Sequence, residues 1–218
     1  MKLSTKFIII AHVFTGLLAS CTQSNINTKK VSIKQNMNTD NSNLDTITLA
    51  AGCFWCSEAI FQRLKGVDSV YSGYTGGSVI NPSYKEVCTG TTGHAEAVQV
   101  CYDKTVISLY ELLQVFFKTH DPTTLNQQGG DHGPQYRSGL FYHNESQKKI
   151  AEEVIREMNE QKVFDSPIVT EVTPFTVFYI AEDNHQNFYN ENPEYGYCRV
   201  VINPKIDKLE KYFKDKLK

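Results

Sequence analysis

The spacing of apolar residues changes repeatedly along this chain, and each change marks an element. Residues 47–51 form a short apolar run that stops at Gly52, after which Ile60, Phe61 and Leu64 fall at helical spacing. That pattern predicts a strand, a tight turn and a helix in immediate succession. Residues 67–74 supply a second strand, closed by the turn signals Gly76-Gly77 and Asn81-Pro82, and 83–90 a short loop or helix. From 94 to 102 the chain alternates, so that Glu96, Val98, Val100 and Tyr102 share one face of a third strand. Leu109, Leu112, Leu113, Phe116 and Phe117 then fall at i, i+3, i+4, i+7 and i+8, the stripe of an amphipathic helix with its apolar side in the core.

The second half continues the alternation of element types. A loop over 121–137, rich in Gly, Pro, Asn and Gln, carries His132 and Tyr136; an ordered loop of that length tends to be functional. Residues 138–142 read as a strand, 145–161 as a helix with Ile150, Val154 and Met158 on one side, and 167–172 and 175–180 as two further strands. A helix over 182–190 brings His185 and Tyr189 one turn apart, 192–198 is turn-like, and Ile206, Leu209 and Phe213 anchor a last helix. Strands and helices interleave with too many short strands for a doubly wound parallel sheet. The expected class is α+β, a mixed sheet with helices packed on it.

The N-terminus follows another rule. Lys2 and Lys6 precede a mostly apolar stretch, 7–19, that ends in Leu18-Ala19-Ser20-Cys21. This has the form of an export signal and is short for a membrane span. Its end resembles a bacterial lipobox, in which cleavage before the cysteine leaves Cys21 as a lipidated N-terminus; an ordinary secretory signal that contains a cysteine is the alternative. Residues 22–43 are dominated by Asn, Thr, Ser, Lys and Gln, the composition of a flexible tether. The expected organisation is a signal peptide at 1–20, a lipidated N-terminus and linker at 21–43, and one globular domain at 44–218. The mature protein is expected in the cell envelope as a membrane-anchored lipoprotein facing the periplasm or the exterior.

Composition narrows the chemistry. A chain of 218 residues with 40% hydrophobic residues supports one ordinary core or at most a small pair of domains, and a net charge of −2 points away from nucleic acid. The lysines of 205–218 alternate with Asp207, Glu210 and Asp215, as on a solvated helix face. Six cysteines are too few for a disulfide scaffold of this length, and no second C-x-x-C accompanies Cys53 and Cys56 as a structural zinc site would want. No metal is expected, metal binding through Cys53, Cys56 and a histidine being the alternative.

Cysteine chemistry fits the positions better. Cys53 follows the first strand at the start of a helix, where unpaired amides and the helix dipole favour a thiolate, so its pKa is expected to fall. The opposing reading makes Cys53 and Cys56 two small buried hydrophobes. Glu96 points the same way as two valines; partial burial there would raise its pKa and keep it protonated near neutrality, as a general acid requires. A solvated carboxylate at a strand end is the alternative.

Four motifs then occur in order: Gly52-Cys53-Phe54-Trp55, Gly93-His94-Ala95-Glu96, Gln135-Tyr136-Arg137-Ser138 and Glu182-Asp183-Asn184-His185-Gln186, with Glu86-Val87-Cys88-Thr89-Gly90 and Asp121-Pro122-Thr123 among them. Together they resemble the peptide methionine sulfoxide reductases of the A type, from about Thr46 to Lys214. The resemblance implies an α/β sandwich with a ferredoxin-like core, and reduction of the S epimer of methionine sulfoxide in oxidised proteins or peptides. It makes Cys53 the nucleophile, Phe54 and Trp55 the walls of a pocket for the substrate methyl group, and Glu96 the acid, assisted by the hydroxyls of Tyr84 and Tyr136. Asp131 and His185 match positions that shape the site. No bound cofactor is implied, only an external, thioredoxin-like dithiol. The chain is expected to act as a monomer, with no B-type partner domain after its last helix.

This sequence departs from the simplest family pattern at Cys56, where many members have Gly. Two thiols can therefore resolve a sulfenic acid on Cys53: Cys56, one helical turn away, and Cys198 on a Gly-containing tail, which matches a resolving position of one branch of the family. Cys88 is expected to be structural and Cys101 an inert buried thiol. Two other functions remain open on the residues alone. A thioredoxin-like disulfide oxidoreductase would account for Cys53-x-x-Cys56 but not for Glu96 or the Tyr136 loop, and a non-catalytic lipoprotein adhesin would tolerate Cys53→Ser.

Overall fold

The computed structural model describes residues 43–218; the export signal, the lipidation at Cys21 and all but the last residue of the tether that the sequence leads one to expect lie outside the described residues. The first strand, β1 (Leu44–Ala51), is followed by α1 (Phe54–Phe61), β2 (Val67–Thr75), the five-residue helix α2 (Tyr84–Cys88), β3 (Ala95–Asp103) and α3 (Leu109–Thr119). A two-residue hairpin, β4 (Gln127–Gln128) with β5 (Asp131–His132), precedes β6 (Ser138–Tyr142), α4 (Glu145–Glu160), β7 (Glu171–Pro174) and β8 (Phe178–Ile180). The chain closes with α5 (Phe188–Glu191) and α6 (Asn203–Phe213).

Six strands form one sheet in the order β7-β6-β1-β3-β2-β8. Only β6 and β7 run parallel, because α4 carries the chain back across the sheet between them, as a parallel pair requires. Within this sheet β1, α1, β2, β3, α3 and β6 make a β-α-β-β-α-β unit whose strands lie in the order β6-β1-β3-β2. That is the ferredoxin-like core expected from the resemblance.

The central strand β1 is buried on both faces. Ile47 and Leu49 join the main core with Val98, Val100, Leu112, Leu113, Phe116 and Leu140. Ala50 packs on the opposite face with Ala95, Ala97, Phe141 and Phe178. The helices α2 and α3 both open on a capping box, Ser83 with Glu86 and Ser108 with Glu111, in which each side chain satisfies an amide that the helix leaves free.

Five segments differ from the sequence-based expectation. The loop 121–137 is a built structure: it holds the β4–β5 hairpin and a 3-10 turn, Pro134–Tyr136. The two strands expected at 167–172 and 175–180 lie at Glu171–Pro174 and Phe178–Ile180, because pairing with β6 and β2 fixes their bounds where apolar runs do not. The helix expected over 182–190 is broken into a 3-10 turn, Asp183–His185, and α5, with Asn187 between them at φ +54°. The tail is ordered as well. Cys198–Ile202 forms a π-helical turn that runs straight into α6, and Cys198 is fully buried, so it does not ride on a loose segment.

Candidate active site

Register decides what meets at one end of the sheet. Strand β1 pairs antiparallel with β3 up to Leu49↔Val98, and two more residues of the same register set Ala51 opposite Glu96. From the other side β2 pairs Tyr74 with Glu96, and β6 begins at Ser138 beside Ala51. The turn into α1, the 3-10 turn bearing Tyr136 and the acid on β3 thus converge on one edge.

Cys53 is the N-cap residue of α1 and makes no side-chain cap. The first amide of the helix, Phe54 N–H, instead donates to Glu96 Oε2 at 3.1 Å, so the carboxyl group takes an amide that no backbone acceptor can reach. Gly52 makes the approach possible. It sits at φ +83°, and a Cβ there would lie 2.6 Å from Gln128 Cβ. Gln128 in turn is fixed by its side-chain amide, which donates to Asp121 O at 2.9 Å while its carbonyl accepts from Asp121 N at 3.1 Å. The hairpin is therefore laid against the Cys53 turn.

Glu96 is 1% exposed. Burial pushes its pKa from 4.5 up to about 8, helped by the nearby Asp131 and Cys56 and opposed by the Phe54 amide. The carboxyl group is thus mostly protonated at neutral pH, as a proton donor must be. Tyr84 and Tyr136 are half-buried phenols within electrostatic reach of it, and burial, then the Glu96 charge, raises both. They stay protonated and able to donate.

The thiols behave differently from the expectation. Burial drives the Cys53 pKa up, not down, reinforced by its hydrogen bond to Cys56 and by the Glu96 charge. Cys56 is lowered to about 7, first by the hydrogen bond it accepts from Cys53, with Lys205 and Tyr197 helping. The helix terminus does favour a thiolate, but desolvation of a residue only 7% exposed outweighs it and the charge of the pair settles on Cys56. Tyr197 lies between hairpin and thiols: its hydroxyl donates to Asp131 Oδ2 at 2.6 Å and stands 3.9 Å from Cys56 Sγ. Cys198 is near enough that a charge on Cys56 raises its pKa.

Aromatic rings wall the site. Trp55 stacks on Phe188 at 3.7 Å and on His185 at 5.6 Å, while Phe54 lies 5.5 Å from His185 and 6.3 Å from Tyr84. His185 is buried and held below the usual histidine range by desolvation, so it acts as a neutral ring. Among the described residues, no group of three or more His, Cys, Asp or Glu is placed to hold a metal ion, and the five cysteines there are free.

The structure thus brings together Cys53, Cys56, Glu96, Tyr84, Tyr136, Phe54, Trp55, Asp131 and His185, with Cys198 buried behind Cys56. Two thiols stand elsewhere. Cys88, expected to be structural, is exposed at the end of α2, because that helix buries only Val87. Cys101 is half-buried on β3, on the face away from Glu96, where strand neighbours Thr46 and Ser69 leave it partly open. Sequence reasoning missed Tyr197, Tyr74, Gln128 and the role of Glu182. Their only sequence signal is proximity to a motif, since each acts through a partner more than 60 residues away or across a strand pair.

Compared with known proteins, residues 45–217 match the family described as peptide methionine sulfoxide reductase. The chain belongs to that family. It is 55% identical over 175 residues to the peptide methionine sulfoxide reductase MsrA of Saccharolobus solfataricus, covering 80% of this chain and 98% of that one. To the protein of the same name from Deinococcus radiodurans it is 54% identical over 169 residues, 78% of this chain and 82% of the relative. Its fold matches the solved methionine sulfoxide reductase A of Corynebacterium diphtheriae with a TM-score of 0.67 at 34% identity, over 71% of this chain and 77% of that one. As a peptide methionine sulfoxide reductase the chain is an oxidoreductase that works through thiols, which sets aside the disulfide oxidoreductase and adhesin readings of its C-x-x-C.

Proposed function

We propose that this reductase takes the S epimer of methionine sulfoxide in oxidised proteins or peptides, with Cys53 as nucleophile and Glu96 as acid. The observation that carries the assignment is the contact of Glu96 with the first amide of α1, which sets a protonated carboxyl group beside the Cys53 turn. A sulfoxide oxygen leaves poorly unless it is protonated, so a neutral acid and two phenols, Tyr84 and Tyr136, are aimed where that oxygen binds. The methyl group meets Phe54 and Trp55. Trp55 Nε1 and His185 Nδ1 are buried in this aromatic wall with no hydrogen-bond partner among the described residues.

The net step converts Cys53–SH and R–S(O)–CH3 into Cys53–SOH and R–S–CH3: the Cys53 sulfur is oxidised by two electrons and the substrate sulfur reduced by two. Cys56–SH then attacks the sulfenic sulfur, a disulfide forms and water leaves. Cys56 resolves first because it lies on the first turn of α1 beside Cys53, near enough that the two thiols shift one another's pKa; Cys198, next in line, takes the disulfide over by exchange. An external, thioredoxin-like dithiol closes the cycle. The protein acts as a monomer and its role is repair of oxidised methionine.

Export and lipidation at Cys21 belong to the same proposal, supported by the sequence of residues 1–43. They place the enzyme on a membrane of the cell envelope, where oxidised envelope proteins are its substrates. The test of the chemistry is methionine release from each sulfoxide epimer of a peptide. The S epimer should be reduced and the R epimer spared, and Cys53→Ser should abolish the reaction. Equal rates on both epimers, or activity retained in Cys53→Ser, would overturn the assignment.

A further inference from the structure

Resting on that reading, we propose that Glu182 is a positioning residue that sets the Tyr84 phenol at the reacting sulfoxide, by holding the Tyr84 amide and the Tyr74 hydroxyl on its two carboxylate oxygens. Oε1 accepts from Tyr84 N–H at 3.0 Å and Oε2 from Tyr74 O–H at 2.9 Å. The Tyr84 ring leans on Phe54 and His185 and its hydroxyl pairs with Cys88, but its backbone is held by Glu182. Tyr84 is the first residue of α2, a helix of five residues whose only buried side chain is Val87, so packing anchors the helix weakly. The capping box spends Ser83 and Glu86 on each other. The amide of Tyr84 is one of the four that a helix cannot satisfy from its own backbone, and Glu182 takes it.

The second donor ties this anchor to the acid. Tyr74 is fully buried, faces Glu96 across the β2–β3 ladder and lies 5.8 Å from the Phe54 ring. It cannot move without disturbing the centre of the sheet. Glu182 therefore measures α2 against the same strand pair that carries Glu96, and so fixes phenol and acid relative to one another. The segment also grips the ring. His185 N–H donates to Glu182 O at 2.8 Å, closing the 3-10 turn, and that turn lays the His185 ring 4.3 Å from the Tyr84 ring. Amide and ring of Tyr84 are both held by residues 182–185, which reach it from the far end of the chain.

Glutamine at position 182 keeps the shape but offers one acceptor where two donors need one. A displacement of the phenol by about 1 Å is enough to cost on the order of tenfold or more in the chemical step. Glu182→Gln should therefore lower the single-turnover rate of methionine release about tenfold with little change in substrate KM. The deciding measurement is a double-mutant cycle with Tyr84→Phe. If Glu182 acts through the Tyr84 hydroxyl, its substitution should cost less than about twofold once that hydroxyl is gone. Equal fold-losses in both backgrounds overturn the proposal.

Glu182→Asp, which keeps the charge but lacks the reach for both donors, should give the same non-additive pattern and serves where Glu182→Gln does not fold. The wild-type protein supplies a readout that needs no variant at all: the Tyr84 amide, at a helix position that ordinarily exchanges freely, should be protected from hydrogen exchange. A freely exchanging Tyr84 amide overturns the clamp. Methionine release that Cys53→Ser abolishes establishes the underlying reading separately, so that additive losses count against Glu182 and not against the mechanism.

Discussion

Replacing Glu96 by Gln separates proton donation from everything else this residue does. The amide keeps the size of the side chain and a carbonyl oxygen that can still accept from Phe54 N–H, whose present bond is 3.1 Å. It cannot deliver a proton, so the single-turnover rate of methionine release should fall on the order of 10²-fold. The pH dependence is more diagnostic. With a pKa of about 8, wild type should lose rate as pH rises through 8, about tenfold per unit beyond it, and Glu96→Gln should lose that limb.

Stability gives an independent reading of the same group. The folded pKa is raised above the ordinary 4.5 of a glutamate, so the folded state binds the proton more tightly than the unfolded chain. The stabilisation relative to Gln is complete below about 4.5 and is lost as pH rises to about 8, where it levels off. At 1.36 kcal/mol per unit, a window of about 3.5 units amounts to about 5 kcal/mol at most. Glu58, also raised to about 7 by burial, titrates in both proteins and cancels in the difference. Urea unfolding of the two proteins from pH 4 to 9, with quench-flow methionine release over the same range, measures both effects. Stability curves that stay parallel, together with an unchanged single-turnover rate, would refute the buried-acid argument.

Three further outcomes follow from the same geometry. After one turnover, mass spectrometry of Cys198→Ser should find a Cys53–Cys56 disulfide formed at near the wild-type rate; a persistent sulfenic acid in that variant would make Cys198 the resolving thiol. Gly52→Ala places a Cβ 2.6 Å from Gln128 Cβ at φ +83° and should cost about 1–3 kcal/mol of stability along with most activity; equal denaturation midpoints would show that the hairpin gives way freely. Cys21→Ala should release the protein from the membrane fraction or leave it misprocessed. Wild-type protein found in the cytoplasm with Met1 intact would end the export proposal.

The local signals were legible in the sequence wherever one element alone determines them. Period-2 alternation set Glu96 among Val98, Val100 and Tyr102 on one face of β3, and the stripe from Leu109 to Phe117 became α3, because side-chain direction within one strand or helix follows from backbone geometry. Edge strands were misplaced, since β7 and β8 are bounded by what β6 and β2 offer for pairing. The helix over 182–190 failed at Asn187, whose left-handed backbone lets its amide reach Glu58 Oε1 at 2.9 Å; no local propensity encodes a partner 129 positions away. The Cys53 pKa went the opposite way for a related reason. A helix terminus can be read from sequence, whereas burial and the identity of the nearest thiol are sums over the whole fold. Motif residues were therefore visible in the chain, but the clamp of Glu182, the bridge from Tyr197 to Asp131 and the burial of Cys198 exist only once distant segments pack. Hydrogen bonds and desolvation depend on distance in space, and the sequence fixes that distance only through the completed fold.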